Sequence, residues 1–108
     1  MKTFRKERIT SLLREELSNI IIRELEFDGA LVTLTDVDVA RDLEKATVWV
    51  GIIPSEKANP VLELLEKSKS HLQYLLLKKM NIRRVPRLSF KLDTSAESAA
   101  RVEKGLMD

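Results

Sequence analysis

The sequence predicts an α+β fold in the order α-β-β-α-α-β-α, in which a three-stranded mixed sheet carries its helices on one face. Three observations predict this fold. Apolar residues recur at helical spacing near the start and through the middle of the chain. Three shorter stretches are rich in β-branched residues or alternate apolar with polar residues, as strands do. A short polar turn joins the first two of these stretches, which favours an antiparallel hairpin. The length of 108 residues suits one domain over 1–108.

The first element is predicted to be a long amphipathic helix over residues 4–27. Its apolar face is formed by Ile9, Leu12, Leu13, Leu17, Ile20 and Ile21. Asp28-Gly29 should end this helix, because glycine adopts the positive φ that often follows a helix without steric cost.

Two strands, over 31–39 and 46–53, are predicted to form the hairpin. The apolar alternation of the first strand changes phase midway, which predicts a β-bulge at Thr35-Asp36. The second strand alternates regularly, and one of its faces is formed by Ala46, Val48, Val50 and Ile52. The other face includes Trp49, and a lone aromatic residue on a central strand is more often part of the core than a stacking surface.

Two helices are predicted after the hairpin. Asn59 has the character of an N-cap, with Pro60 at the first helical position. A break or kink is predicted at Ser68-Lys69-Ser70, because short hydroxyl side chains compete for backbone hydrogen bonds. A second helix should follow over 71–80.

The chain is predicted to close with a strand and a short helix. Leu88, Phe90 and Leu92 alternate with polar residues. A right-handed crossover would place this strand parallel to the second one. Thr94 and Glu97 have the spacing of a capping box, which predicts a last helix ending near residue 104.

The composition excludes several classes of chemistry. The absence of cysteine excludes disulfides, thiolate zinc sites and cysteine nucleophiles. The sequence has a single histidine and no glycine-rich phosphate loop or nucleophile elbow. We therefore expect that the protein binds no metal or cofactor and is not an enzyme. The basic N-terminus has no apolar run of the length that a signal peptide requires, so we expect a cytoplasmic protein.

Charge is distributed unevenly, although the net charge is only +2. Eight lysines and arginines and no acidic residue lie between positions 67 and 91. A field of one sign on a nearly neutral chain is compatible with two interpretations: a basic face that binds a polyanion such as nucleic acid, or a solvated surface that happens to be basic.

Local motifs resemble those of one family. The predicted element order is that of a type II K-homology domain. The run Arg41-Asp42-Leu43-Glu44-Lys45-Ala46-Thr47-Val48-Trp49-Val50 resembles the RDLxxAxVxV signature of the ribosome-binding factor A family. Two further segments resemble the family in the same order, and they contain Leu75, Leu76, Lys78, Met80, Ile82, Arg83, Val85, Pro86, Leu88, Phe90 and Asp93. The chain departs from the family pattern at Phe27-Asp28-Gly29-Ala30, at Ser68-Lys69-Ser70 and at Gln73.

The resemblance implies a function in ribosome assembly. Members of the family bind the small (30S) ribosomal subunit, contact its 16S rRNA near the decoding region, and act in late maturation and in processing of the 5′ end of the rRNA. The expected partners are therefore the subunit and its rRNA, with no membrane and no small-molecule substrate, and the expected state is a monomer.

The manner of RNA binding is predicted to differ from that of an ordinary K-homology domain. Such domains clamp about four nucleotides with a GxxG loop between their central helices. Glycine occurs here only at positions 29, 51 and 105, so the kink at Ser68, Lys69 and Ser70 is predicted to replace that loop. We expect recognition of folded RNA by shape and phosphate charge, through Arg5, Lys6, Arg8, Lys69, Lys78, Lys79, Arg83, Arg84 and Arg87.

Five other residues could have a functional role, but the sequence gives no strong support for one. His71 is expected to be an ordinary surface histidine. Asp36 and Asp38 could act as paired carboxylates, but solvated strand carboxylates are far more common. Tyr74 is a better candidate for stacking on a base than Trp49, because its predicted helix face is polar.

The alternative to an RNA-binding factor is a protein–protein adaptor with a basic surface.

Overall fold

The computed structural model describes residues 2–94, with side chains from residue 5 onward. The elements are α1 (Lys2–Glu24), β1 (Leu31–Val39), β2 (Lys45–Ile53), a 3₁₀ turn (Ser55–Lys57), α2 (Ala58–Met80) and β3 (Arg87–Leu92). The predicted fold class is confirmed. The last predicted helix, over 95–104, lies outside the described residues.

The three strands form a single mixed sheet in the order β1-β2-β3. β1 pairs antiparallel with β2, and β2 pairs parallel with β3, as predicted. The register of the hairpin shifts between Leu34 and Asp36, so the predicted bulge is confirmed. The hydroxyl of Thr35, the extra residue in the bulge, donates a hydrogen bond to the Asp93 carboxylate at 2.6 Å.

Both helices cover one face of the sheet, and nothing within residues 5–94 covers the other. The covered face contributes Ala46, Val48, Val50, Leu88 and Phe90 to the core, all buried. α1 contacts β1, and α2 contacts mainly β3. The opposite face, which we call the open face, alternates with these residues and is exposed or half-buried throughout.

α1 begins and ends earlier than predicted. It ends at Glu24, and the three residues after it are not helical. Gly29 has the positive φ that was predicted, +85°, and the Lys57 ammonium donates a hydrogen bond to the neighbouring Asp28 carbonyl. Of the predicted apolar face, Leu13, Leu17, Ile20 and Ile21 are buried.

The prediction of two helices separated by a break was wrong, because α2 is one continuous helix through Ser68-Lys69-Ser70. Leu65, Leu72 and Leu76 are all fully buried on the same side of the helix, so one apolar stripe crosses the serines without interruption. Burial of this stripe outweighs the few tenths of a kcal/mol by which a serine disfavours a helix interior.

The predicted cap at Asn59 was also wrong. α2 begins at Ala58, its N-cap position is Lys57, and no side chain caps it. The 3₁₀ turn leads directly into the helix, and the Lys57 and Ala58 amides donate to the carbonyls of Pro54 and Ser55. These bonds satisfy two of the backbone N–H groups at the helix start that have no partner within the helix. Among the described residues, neither long helix is apolar enough over a sufficient length to cross a membrane.

Candidate nucleic-acid interface

A groove of about 640 Å³ lies where the start of α1, the β1–β2 turn and the link from α2 to β3 meet. Its walls carry four of the arginines predicted to bind RNA: Arg5, Arg8, Arg83 and Arg84. We call this feature the arginine groove. The other lining residues are Ile9, Leu12, Asp42, Leu43, Asn81, Ile82 and Pro86.

The link between α2 and β3 presents two arginines because apolar residues anchor it on both sides. α2 ends at Asn81, whose φ of 52° turns the chain out of the helix. Ile82 is half-buried against the core, and Val85 and Pro86 are buried. Arg83 and Arg84 lie between these anchors and are exposed.

The first turns of α1 supply the opposite wall. Arg5 and Arg8 are three residues apart, so they are neighbours on one side of the helix. Both are exposed. Ile9 packs partly against the core, whereas Leu12 is 39% exposed and lines the groove. Leu12 was predicted to lie on the buried face, and its position at the groove is a correction to that prediction.

The β1–β2 turn forms the third wall. The Asp42 carboxylate accepts a hydrogen bond from the Glu44 amide at 3.0 Å, and Leu43 has a left-handed φ of 64°. The Glu44 carbonyl accepts from the Arg87 amide at 2.8 Å, which fixes the start of β3 against this turn. The sequence signature that resembles the family therefore forms part of the groove.

The arginine groove is cationic. Four arginines and a single acidic residue, Asp42, are among the residues that line it. Within residues 5–94, none of the four arginines forms an ion pair. Unpaired guanidinium groups that converge on a concave surface can donate hydrogen bonds to phosphate oxygens in the bidentate geometry that arginine favours.

The other predicted RNA-binding residues lie outside this groove. Lys78 and Lys79 are exposed in the last turn of α2, and Arg87 is exposed at the start of β3. Lys6 is half-buried on α1. Lys69 is half-buried in the middle of α2 and forms an ion pair with Glu66 at 2.7 Å, so it is not a free cation.

The structure also shows the positions of His71, Tyr74 and Trp49, the other candidate residues considered from the sequence. His71 is exposed and lies 3.3 Å from the Glu24 carboxylate, and this hydrogen bond, together with that from Arg23, lowers the pKa of Glu24. Tyr74 is 54% exposed, as predicted, and the Lys78 ammonium lies 4.9 Å from its ring centroid. The expectation that Trp49 is a core residue was wrong, because it is half-buried on the open face.

Asp36 and Asp38, the candidate pair of carboxylates, both lie on β1. Asp36 accepts a hydrogen bond from the Arg14 guanidinium at 2.8 Å, and Asp38 is exposed. In residues 5–94, no group of three or more His, Cys, Asp or Glu side chains is arranged to hold a metal ion.

The sequence did not predict the backbone turns that shape the groove. Leu43 and Asn81 both have left-handed conformations that direct the chain there, and neither conformation was predicted. A signal was present in the run Ile82-Arg83-Arg84-Val85-Pro86, where apolar residues bracket two cations. Such a pattern indicates a segment whose two ends pack against the core while the residues between them are exposed to solvent.

Comparisons with known proteins agree on one family. A family model described as ribosome-binding factor A matches residues 5–106. Ribosome-binding factor A of Akkermansia muciniphila is 37% identical over 93 residues, which cover 86% of this chain and 74% of that protein.

Solved structures show the same likeness. The crystal structure of ribosome-binding factor A from Thermus thermophilus superposes with a TM-score of 0.69 at 28% identity, over 81% of this chain and 93% of that one. A homology model of the Thermus thermophilus protein, fitted into the cryo-EM map of its complex with the 30S subunit, gives a TM-score of 0.71 at 25% identity, over the same shares of the two chains.

Proposed function

This chain belongs to the ribosome-binding factor A family, and we propose on that premise that it is an assembly factor that binds the small ribosomal subunit through its 16S rRNA. In this proposal the protein assists late maturation of the subunit and processing of the 5′ end of the rRNA. It binds without catalysing a reaction, and it acts as a cytoplasmic monomer of a single domain. The fit of the related Thermus thermophilus protein into a 30S complex supports the choice of partner.

The observation that carries the proposal is the convergence of the four groove arginines. Arg5 and Arg8 come from the start of α1, whereas Arg83 and Arg84 come from the link before β3. A surface that is basic merely for solubility has no reason to gather its cations into one concavity. A concave cationic surface matches the backbone of a folded RNA, which presents closely spaced phosphates.

Recognition in this proposal is by shape and charge. α2 is continuous at the place where a K-homology domain has its GxxG loop, so no tight glycine turn approaches an RNA backbone there. Lys78, Lys79 and Arg87 adjoin the groove along the chain and extend the proposed contact. Lys69 contributes less, because Glu66 already neutralises it.

The experiment is co-sedimentation with isolated small subunits in a sucrose gradient. The variant Arg83→Glu/Arg84→Glu reverses two charges in the groove, both on exposed side chains, so its fold should be unchanged. We expect its affinity for the subunit to fall at least tenfold, because charge-assisted contacts to phosphate are each worth about 1.5 kcal/mol or more.

The matched control is Arg23→Glu/Lys67→Glu, which makes the same change in charge at two exposed positions outside the proposed contact. We expect it to retain most of the binding. Circular dichroism should show cooperative melting for both variants. If both variants lose binding equally, the effect is due to total charge and the groove has no specific role. If the groove variant binds as well as the parent, the proposed interface is wrong.

A further inference from the structure

The open face of the sheet carries an aromatic side chain that the arginine groove does not use. Trp49 lies in the middle of β2, which is the central strand. Its register partners on the neighbouring strands are Asp36 and Lys91. It is half-buried, and the helices pack on the opposite face of the sheet.

The indole ring is accessible to charged groups from solvent. The Lys91 ammonium lies 5.9 Å from the ring centroid, within the range of a cation–π contact. Along the strand, the ring is flanked on the same face by Thr47 and Gly51, which are too small to cover it. A planar group can therefore approach the ring from the solvent side.

The cations of the open face lie at one end of the sheet and along β3. Lys45 and Arg87 are register partners, and both are exposed at the end of the sheet where β2 and β3 begin. Lys91 continues this cationic row along β3. Asp36 and Asp38 lie on β1, where Asp36 is already paired with Arg14 at 2.8 Å, and Asp93, which follows β3, accepts a hydrogen bond from the Thr35 hydroxyl at 2.6 Å.

The cationic row continues directly from the arginine groove. Arg84 lines the groove, Pro86 is buried beside it, and Arg87 opens β3. Arg87 and Lys91 are four residues apart on the same strand face, a separation of roughly 13 Å. Cations therefore run along one path from the groove, around the start of β3, to the tryptophan.

We propose that the open face is a second RNA-binding surface, on which an unpaired base of single-stranded RNA stacks on Trp49 while Lys45, Arg87 and Lys91 contact its phosphates. This inference rests on the proposed function in one respect, that the protein binds RNA. It adds that single-stranded RNA is bound, at a site separate from the arginine groove. The folded part of the RNA occupies the arginine groove, and a single-stranded extension follows β3 onto the sheet.

Stacking is favoured over the contacts that the free protein makes. An exposed cation–π contact is weaker than the stacking of a base on an aromatic side chain, so a base can replace Lys91 over the ring. The displaced ammonium lies at the end of a flexible side chain, which can turn to a phosphate. An aromatic side chain on a sheet surface is a recognised platform for bases.

A protein partner is disfavoured by the surroundings of the ring. Apolar side chains that could form the centre of a protein interface, Leu31 and Ile53, are paired with one another at the end of the hairpin remote from Lys45 and Arg87. The residues around Trp49 are small, polar or charged, which suits a charged ligand with a planar base.

The test uses the fact that the chain contains one tryptophan. An adenine oligonucleotide of about eight nucleotides is added to the protein, and the intrinsic fluorescence is followed. We expect stacking to quench the Trp49 emission in a saturable manner that weakens as salt rises. Lys91→Glu should weaken the apparent affinity about fivefold or more, whereas Lys67→Glu, the same charge change on an exposed position of α2, should leave it unchanged.

Substitution of the ring supplies a second measurement. With a fluorescein-labelled oligonucleotide and anisotropy as the readout, Trp49→Leu should bind about tenfold more weakly, and Trp49→Phe should remain within about threefold of the parent. Thermal melting checks that both variants fold. If Trp49→Leu is unfolded, the comparison of Lys91→Glu with Lys67→Glu decides.

The outcomes separate this inference from the proposed function. Absence of quenching, or unchanged oligonucleotide affinity of a folded Trp49→Leu variant, overturns the second surface. Retained co-sedimentation with small subunits in that case leaves the groove proposal standing. If Trp49→Leu loses co-sedimentation but keeps its oligonucleotide affinity, the open face binds protein and the inference is wrong. If neither subunit nor oligonucleotide binds the parent protein, both proposals fail.

Discussion

At the scale of single residues, two left-handed backbone positions shape the arginine groove. Asn81 ends α2 with φ 52°, and Leu43 turns the β1–β2 connection with φ 64°. Asparagine adopts this conformation readily, whereas a leucine pays roughly 1–2 kcal/mol for it. The Leu43 side chain packs against the core, which offsets that cost.

The Asn81 conformation yields a stability prediction. Asn81→Ala should lower the free energy of unfolding by about 1 kcal/mol, because alanine lacks the short polar side chain that makes left-handed backbone tolerable. Asn81→Gly should be neutral or slightly stabilising. Urea unfolding measures both, and an alanine variant as stable as the parent would show that the left-handed turn is not required.

A second residue-scale prediction concerns the Glu24 carboxylate. Hydrogen bonds from His71 and Arg23 lower its pKa below the ordinary value of 4.5. A lowered pKa in the folded state means that the interaction stabilises the fold above pH 4.5 and is lost as the pH falls through the folded-state pKa. Glu24→Gln should therefore melt slightly below the parent at pH 6, and the difference in melting temperature should shrink as the pH is lowered toward 3.

The control for that prediction is Glu26→Gln, which removes an exposed carboxylate just beyond the end of α1. Its melting temperature should track that of the parent at both pH values. A constant difference between the Glu24→Gln variant and the parent from pH 6 to pH 3 would mean that the ionised carboxylate does not contribute.

At the scale of elements, the sequence predicted strands better than helix ends. Strand periodicity and the bulge at Thr35 depend on residues next to one another, so local pattern suffices. The start of α2 depends on hydrogen bonds to the carbonyls of Pro54 and Ser55. No capping residue marks this start in the sequence. The break at Ser68 and Ser70 was predicted from hydroxyl chemistry alone, and it was outweighed by burial of the apolar stripe on either side.

The continuity of α2 can be tested by removing the two hydroxyls. Ser68→Ala/Ser70→Ala should raise the free energy of unfolding by roughly 0.5–1 kcal/mol, because alanine has the higher helix propensity and the helix already runs through these positions. Subunit binding should not change. Urea unfolding gives the first quantity and co-sedimentation the second. A destabilised variant, or one that loses binding, would indicate that the serines hold a functional irregularity.

At the scale of the whole molecule, the position of the groove depends on tertiary contacts that local sequence patterns do not reveal. Nine cations were predicted from charge, yet only Arg5, Arg8, Arg83 and Arg84 meet in one groove. Their meeting depends on how the start of α1 packs beside the link to β3, which is a tertiary contact. Trp49 was taken for a core residue because a lone aromatic side chain on a central strand is usually buried. The predicted packing of the helices on one face already implied otherwise, and within the described residues no helix covers the other side of β2.

The most direct test of the groove is the salt dependence of binding to isolated small subunits. If about six phosphates are neutralised, log affinity should fall with log salt at a slope of about −5 for the parent protein. Arg83→Gln/Arg84→Gln removes two contacts without introducing repulsion, so its slope should be shallower by about 2. A weak salt dependence of the parent, or the same steep slope in both proteins, would contradict phosphate binding by these arginines.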